Sequence, residues 1–209
     1  MTRVAVIDYG MGNRRSVEKA LARVGAEVRI TGDPGELREA DGLVLPGVGA
    51  FAAGMRALRE RGLDEVVRER AAAGVPLLGI CLGMQLLFDS SSEHGGAEGL
   101  GLVPGRVEAL RAEGRRLPHI GWSLVRWERP SALSARLPAE SAFYHVHSFV
   151  ARPADPEDVL GTAEYGERFT TAVRRSSLLG VQFHAEKSST HGLELLGGFV
   201  QACVPAAAR

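Results

Sequence analysis

The sequence contains little of what several common classes of protein require. Only two of its 209 residues are cysteines, Cys81 and Cys203, which is too few for a disulfide framework in a chain of this size. Basic and acidic residues number 25 each, so the chain has no single-sign field to attract nucleic acid or an anionic membrane. Its first residues contain neither a signal-peptide hydrophobic region nor a transit-peptide composition. We therefore expect a cytoplasmic protein that binds neither nucleic acid nor membrane.

Long hydrophobic runs are also scarce. Residues 71–88 carry no charge over 18 positions, a length at which a membrane helix must be considered. Pro76, three glycines and Gln85 interrupt this stretch, and an amphipathic helix precedes it. We interpret the stretch as part of a buried core.

Apolar strands and amphipathic helices alternate through the first 90 residues. The predicted strands are 3–8, 27–31, 41–47 and 75–80, and the predicted helices are 13–25, 51–62 and 63–74. This alternation indicates an α/β fold with a three-layer, doubly wound, mostly parallel sheet. Shorter alternating segments at 103–110, 142–151 and 168–188 predict antiparallel additions, followed by a helix over 191–204. No segment is typical of a linker, so we expect one domain over 1–209, with fraying over 204–209.

Cys81 lies where a predicted parallel strand passes into a helix. Ligands of doubly wound folds lie beyond the carboxyl ends of such strands. Gly79 and Gly83, in the motif GICLG, leave room for a sharp turn that displays the cysteine side chain, as in a nucleophile elbow. From this motif alone, a reactive nucleophile and an ordinary buried cysteine are equally well supported.

His184 and Glu186, in GVQFHAEKS, are candidates for a base and its orienting group. Residues two apart on an extended segment project to the same side, so the carboxylate can orient an imidazole that faces a thiol. Taken singly, His184 is better explained as a satisfied sheet histidine, and Glu186 as a solvated glutamate at a strand end. Together with Cys81 they make a nucleophile, a base and an orienting group.

Metal binding is an alternative use of the same residues. His145 and His147 lie on one side of a predicted strand and could join His184 and Glu186 in a three-histidine, one-carboxylate cluster. Nothing in the sequence brings the two segments together, and Cys81 would then have no role. We therefore predict neither a metal nor another cofactor.

Acyl transfer at Cys81 would also need hydrogen-bond donors for the developing oxyanion. The amide of Leu82, at the predicted helix start, is one candidate. The motif LPGVGAF ends another predicted strand and can supply a second donor, because Gly47 and Gly49 leave its backbone unobstructed.

Taken together, PGVGAF, GICLGMQLL and GVQFHAEKS, in this order, resemble the class I glutamine amidotransferases. Within that family, VIDYGMGN, IGW at 120–122, HVHSF at 145–149 and the Lys-Ser pair after the histidine motif resemble the glutaminase subunit of imidazole glycerol phosphate synthase. Two positions differ from the family pattern. Ala185 stands where the family has proline, and Ser123 stands where it has asparagine.

The resemblance implies a flavodoxin-like sheet and the hydrolysis of glutamine by Cys81, His184 and Glu186. It implies an oxyanion hole formed by the amides of Val48 and Leu82. The implied glutamine-binding residues are Gly47, Gly49, Gln85, Glu93, His147, Ser148 and Phe149. The implied partner is a separate (β/α)-barrel cyclase subunit, in a heterodimer, which uses the ammonia to make imidazole glycerol phosphate and a carboxamide ribotide for histidine biosynthesis.

Two alternatives remain open at this point. One is a class I glutaminase that serves another synthase, such as the synthase for anthranilate. The other is a non-catalytic flavodoxin-like binding module in which Cys81 is only a core residue.

Overall fold

The computed structural model describes residues 1–204 and contains thirteen strands and six α-helices in that range. The strands are β1 (Arg3–Ile7), β2 (Glu27–Thr31), β3 (Gly42–Gly47), β4 (Leu77–Cys81), β5 (Phe88–Ser91), β6 (Ala97–Glu98), β7 (Val103–Ala109), β8 (His119–Trp127), β9 (Glu140–His147), β10 (Phe149–Pro153), β11 (Val159–Tyr165), β12 (Glu167–Arg175) and β13 (Leu178–Val181). The helices are α1 (Arg14–Arg23), α2 (Pro34–Glu39), α3 (Phe51–Arg59), α4 (Leu63–Ala72), α5 (Leu82–Leu86) and α6 (Ser189–Ala202). Short 3-10 turns lie at Glu93–Gly95, Pro156–Asp158 and Ala185–Lys187.

The strands form one continuous sheet whose centre is parallel. The parallel part runs in the order β2-β1-β3-β4-β13, and the sheet then continues antiparallel through β12, β10 and β7. An antiparallel extension of β11, β8 and β9 branches from β12. The predicted doubly wound α/β sheet with antiparallel additions is therefore confirmed.

Two apolar cores lie on opposite faces of this sheet. In β3, Leu43 and Leu45 belong to the core that packs against α2, α3 and α4, whereas Val44 between them belongs to the core with α1 and α6. Successive side chains of a strand point to opposite faces, so a central strand covered on both faces is apolar throughout. Every residue of β3 and β4 is accordingly buried. The result is the predicted three-layer arrangement.

Some local predictions differ from the structure. The sequence pattern did not predict α2, β8 or β11, nor the short antiparallel pair of β5 with β6. No helix within residues 1–204 is both long enough and apolar enough to cross a membrane. The predicted fraying of the C-terminus falls mainly on residues 205–209, outside the described part of the chain, and the single domain over 1–209 stays a proposal.

Candidate active site

Cys81 lies on a sharp strand-to-helix turn at the carboxyl edge of the sheet. It ends β4, precedes α5 directly, and has a positive φ of 55°, a conformation in which a non-glycine residue is strained. The turn requires the glycines on either side. A Cβ at Gly83 would lie 1.7 Å from the Leu45 carbonyl oxygen, and one at Gly79 would lie 2.7 Å from the Gly83 oxygen. The structure thus gives Cys81 the geometry of a nucleophile elbow.

His184 and Glu186 meet as a buried pair. His184 Nδ1 donates to Glu186 Oε1 at 2.9 Å, and the two side chains are 4% and 1% exposed, so this bond is shielded from water. Asn13 Nδ2 lies 3.4 Å from the same carboxylate oxygen. The segment is not a continuous strand as expected, because β13 ends at Val181 and Glu186 lies in the 3-10 turn after His184. That turn still brings the two side chains together.

The electrostatics of the pair favour a protonated imidazole. Burial alone would lower the pKa of His184, but hydrogen bonds and negative charge from Cys81 and Glu186 outweigh it and raise the pKa to about 9. Because Nδ1 is committed to Glu186, Nε2 is the nitrogen that remains for the sulfur of Cys81. Burial, and then the charge of Cys81, raise the pKa of Tyr9, whose hydroxyl donates to the Pro46 carbonyl at 2.7 Å.

The two candidate oxyanion donors lie on adjacent chain segments. Gly47 pairs with Cys81 across the parallel β3–β4 ladder, so residues 47–49 run beside the elbow. A Cβ at Gly47 would lie 2.5 Å from the Tyr9 hydroxyl and 2.9 Å from the Leu82 Cβ, which shows how closely the backbones approach. Gly49 has a φ of +104°, a value that favours glycine.

A cleft of about 300 Å³ lies over the elbow. Its lining residues are Val48, Gly49, Cys81, Leu82, Gln85, Glu93, Pro118, Val146, His147, Ser148, Phe149, His184 and Lys187. Ten of these are residues that the sequence singled out. Gly47 and Glu186 are not among the lining residues, and the sequence did not predict Pro118, Val146 or Lys187.

Gln85 is held by a chain of amide hydrogen bonds behind the cleft. Its Nε2 donates to the Phe149 carbonyl at 3.1 Å and to Gln182 Oε1 at 2.9 Å. Gln182 Nε2 in turn lies 3.7 Å from the sulfur of Cys81. Gln182 was not predicted, although it stands two residues before His184, and the extended segment expected from the sequence would place both side chains on the same side.

Glu93 reaches the cleft from the 3-10 turn after β5. Its Oε2 accepts a hydrogen bond from the Phe51 amide, at the start of α3, at 2.7 Å. Carboxylates are favoured at helix N-termini, where backbone N–H groups lack partners within the helix. This contact fixes one carboxylate oxygen and places a negative charge in the wall of the cleft.

The predicted alternative of a metal cluster is not assembled. His145 Nδ1 bonds the Phe143 carbonyl at 3.0 Å, and His145 Nε2 bonds Thr171 Oγ1 at 2.8 Å, so both ring nitrogens have protein partners. Burial, with the neighbouring histidines, lowers the pKa of His145 well below its usual value. Within residues 1–204, no three His, Cys, Asp or Glu side chains are grouped so that they could hold a metal ion.

Comparison with known proteins places the chain in a family. The model of the family described as glutamine amidotransferase class-I matches residues 5–202. The chain belongs to the class I glutamine amidotransferases. The imidazole glycerol phosphate synthase subunit HisH of Moorella thermoacetica is 53% identical over 199 residues, which cover 95% of this chain and 94% of the relative. The subunit of the same name from Symbiobacterium thermophilum is 49% identical, with 95% and 93% covered.

A solved structure described as a glutamine amidotransferase matches this fold with a TM-score of 0.76 at 25% identity, covering 96% of this chain and 98% of that one. The resemblance drawn from PGVGAF, GICLGMQLL and GVQFHAEKS is therefore confirmed, as is the prediction that this chain is a glutamine amidotransferase.

Proposed function

We propose that this chain hydrolyses glutamine to glutamate and ammonia in the cytoplasm and passes the ammonia to the separate cyclase subunit of imidazole glycerol phosphate synthase. One observation carries the chemistry. His184, held by Glu186 at 2.9 Å, faces the same cleft as Cys81 on its strained turn. The names of the relatives favour this synthase over one for anthranilate.

In the first half of the reaction, the sulfur of Cys81 attacks the side-chain amide carbon of glutamine. The negative charge that develops on the amide oxygen is stabilised by the amides of Val48 and Leu82. His184 then gives a proton to the departing nitrogen, and ammonia leaves with a thioester on Cys81. A histidine that is protonated at neutral pH, as its raised pKa makes His184, is suited to this step.

In the second half, water hydrolyses the thioester. His184 has given up its proton and accepts one from the water, whose oxygen attacks the thioester carbon and releases glutamate and the thiolate. Glu186 keeps the imidazole oriented and stabilises its charged form in both halves. No metal or cofactor is needed for either half.

Glutamine binding is assigned to the polar wall of the cleft. The Glu93 carboxylate suits the α-ammonium group of glutamine, and Gln85 with the backbone at 147–149 suits the rest of the amino-acid end. Gly49 lines the cleft beside Cys81, and Gly47 lets the end of β3 approach Leu82 closely, so the backbone around Val48 is assigned to the substrate amide.

The partner is assigned to the exposed face of β8. Ile120, Trp122 and Leu124 alternate along this strand and are 59%, 55% and 59% exposed. Pro118, one residue before β8, lines the cleft, so this face adjoins the active site. A cluster of exposed large apolar side chains marks an interaction surface. A cyclase on this surface would lie beside the cleft in which ammonia is released.

Glutamate release from glutamine tests the proposal. The chain is assayed alone, with the barrel cyclase, and with the cyclase plus its nucleotide substrate. We expect slow release alone and an acceleration of about a hundred- to a thousandfold in kcat in the full complex, the usual effect of completing an oxyanion hole. The Val48 peptide, between two glycines, is the donor that we expect the partner to set in place.

The outcomes separate the alternatives. Absence of glutamate release in all three conditions would favour a non-catalytic binding module. Release that only the partner of another synthase accelerates would assign the chain to that synthase. An effect confined to KM would move partner control from the oxyanion hole to the glutamine pocket.

A further inference from the structure

We infer that Ser123 and His119 are positioning residues for glutamine binding, because they set the ring of His147 and, through it, the Phe149 carbonyl that anchors Gln85. This inference rests on the proposed glutaminase function, since it assigns a role in the same cleft. Neither residue lines that cleft, and they reach it only through hydrogen bonds.

Four hydrogen bonds connect β8 to the glutamine pocket. Ser123 Oγ lies 3.0 Å from His119 Nε2, and His119 Nδ1 lies 3.3 Å from His147 Nε2. His147 Nδ1 lies 3.1 Å from the Phe149 carbonyl oxygen, which also accepts from Gln85 Nε2 at 3.1 Å. The antiparallel β8–β9 ladder makes this possible by pairing His119 with His147.

The donor and acceptor in each hydrogen bond follow from the bond nearest to the pocket, between His147 and the Phe149 carbonyl. A carbonyl oxygen can only accept, so His147 must carry its proton on Nδ1 and present a lone pair at Nε2. His119 must then donate from Nδ1 and accept at Nε2, where the Ser123 hydroxyl is the donor. Each ring therefore needs to be neutral, with one donor and one acceptor.

The surroundings keep both rings neutral and fixed. Burial, and then the charge of Arg115, lower the pKa of His119, and burial with His119 lowers the pKa of His147 to about 3. The His119 ring stacks on Tyr165, with centroids 4.0 Å apart and planes 19° from parallel, so it cannot easily turn away from its partners.

The hydrogen bond to the Phe149 carbonyl determines which atom of the Gln85 amide remains for the substrate. Because the Phe149 carbonyl takes the Nε2 group of Gln85, the Oε1 atom is left as an acceptor, and it has no hydrogen-bond partner within residues 1–204. If His147 carried its proton on Nε2, the lone pair of its Nδ1 atom would face the Phe149 carbonyl oxygen, and the two acceptors would repel each other. The carbonyl would shift and the Gln85 anchor would weaken.

The donor role restricts which residues can stand at position 123, which is serine in this chain. A hydroxyl and an amide NH₂ group can both donate to a ring nitrogen, whereas alanine cannot. Ser123→Asn should therefore preserve the chain of hydrogen bonds, and Ser123→Ala should break it.

The first test reads the proton positions without any activity. In ¹⁵N-histidine NMR spectra of the full chain at neutral pH, we expect His119 and His147 to be neutral and protonated on Nδ1. A proton on Nε2 of His147 would overturn the inference, even if the chain proved to be an efficient glutaminase. Conversely, if both histidines carry their protons on Nδ1 but the protein releases no glutamate, the series of hydrogen bonds stands and only the proposed function is rejected.

The second test is steady-state kinetics with the cyclase complex. Ser123→Ala should raise the KM for glutamine about three- to tenfold, the usual value of one buried hydrogen bond, and leave kcat within about twofold. Ser123→Asn should restore the native KM. The matched control is Thr171→Val, which removes a hydroxyl from another buried histidine, His145, that bonds the Phe143 carbonyl and not the pocket.

The contrary results are specific. An unchanged KM in Ser123→Ala would remove the positioning role. An equal rise of KM in Thr171→Val would show that the effect is a general loss of packing. A raised KM that persists in Ser123→Asn would show that loss of a hydrogen-bond donor at position 123 is not the cause.

Discussion

Cys81 and Cys203 differ little in exposure, at 7% and 3%, so accessibility alone does not separate their reactivity. The difference lies in their neighbours. Cys81 interacts with His184. The sulfur of Cys203 packs against Gly42 in the core, so closely that a Cβ built on Gly42 would lie 2.2 Å from it. An electrophile that resembles glutamine should therefore label Cys81 and spare Cys203, as read by peptide mass mapping. Equal labelling would show that Cys81 is not specially activated.

The titration of His184 tests the charge arrangement around the nucleophile. In the native protein its pKa is raised to about 9, so NMR should show a protonated ring through neutral pH that loses its proton near that value. Glu186→Gln and Cys81→Ala should each lower the pKa of His184, because each removes a negative neighbour while burial continues to disfavour the cation.

Glu140→Gln is the matched control for this titration. Glu140 is a half-exposed carboxylate that pairs with Arg126 at 3.0 Å, so its loss should leave His184 unchanged. The assigned roles would be contradicted if His184 were neutral at pH 7 in the native protein, or if its pKa were the same in Glu186→Gln as in the native protein.

At the scale of secondary-structure elements, the elbow depends on glycine. Gly83→Ala would place a Cβ 1.7 Å from a backbone oxygen and should cost more than about 3 kcal/mol of unfolding free energy. Gly197→Ala, in α6, is the control, because the nearest atom to its Cβ is 3.9 Å away, and alanine should there stabilise the helix by about 0.5–1 kcal/mol. Urea denaturation measures both, and equal stabilities would contradict the packing of the elbow.

The elements that the sequence did not predict have physical reasons for being missed. In β8, the outward residues Ile120, Trp122 and Leu124 are apolar, while His119 and Ser123 face inward, which inverts the usual alternation. Helix α2 has only six residues and begins with Pro34, so it is too short to show a helical period.

Individual long-range contacts were also beyond prediction. Asn13 stands at the N-cap position of α1, but within residues 1–204 its side chain makes no capping bond and lies near Glu186, 173 residues away. No local pattern contains such a contact, because it depends on how distant segments pack.

At the scale of the whole molecule, the parallel centre of the sheet could be predicted from the sequence. For the other half, the sequence predicted antiparallel strands but not their order in the sheet. Buried parallel strands such as β3 and β4 are apolar throughout and alternate with helices, which is a strong local signal. The order β12-β10-β7 and the branch of β11, β8 and β9 depend on pairing between segments far apart in sequence. The cleft over Cys81 exists only once these segments have joined.

The exposed face of β8 gives a prediction about assembly. Trp122→Ala should weaken binding of the cyclase by about 2 kcal/mol or more, as expected for a tryptophan at an interface, without lowering the stability of the isolated chain. Arg29→Ala is the control, since Arg29 is exposed on β2, at the opposite edge of the parallel sheet. Isothermal titration calorimetry measures both, and unchanged affinity of Trp122→Ala would assign the partner to another surface.

The central claim is that glutamine hydrolysis resides at Cys81 in this chain and that synthesis from ammonia resides in its partner. The most direct test is Cys81→Ala in the complete complex, assayed for imidazole glycerol phosphate with glutamine and then with ammonium salt as the nitrogen source. We predict that product formation from glutamine is abolished, because the nucleophile is gone, and that formation from ammonia stays within about twofold of native. Retained synthesis from glutamine, or loss of synthesis from ammonia in a complex that still assembles, would contradict the account.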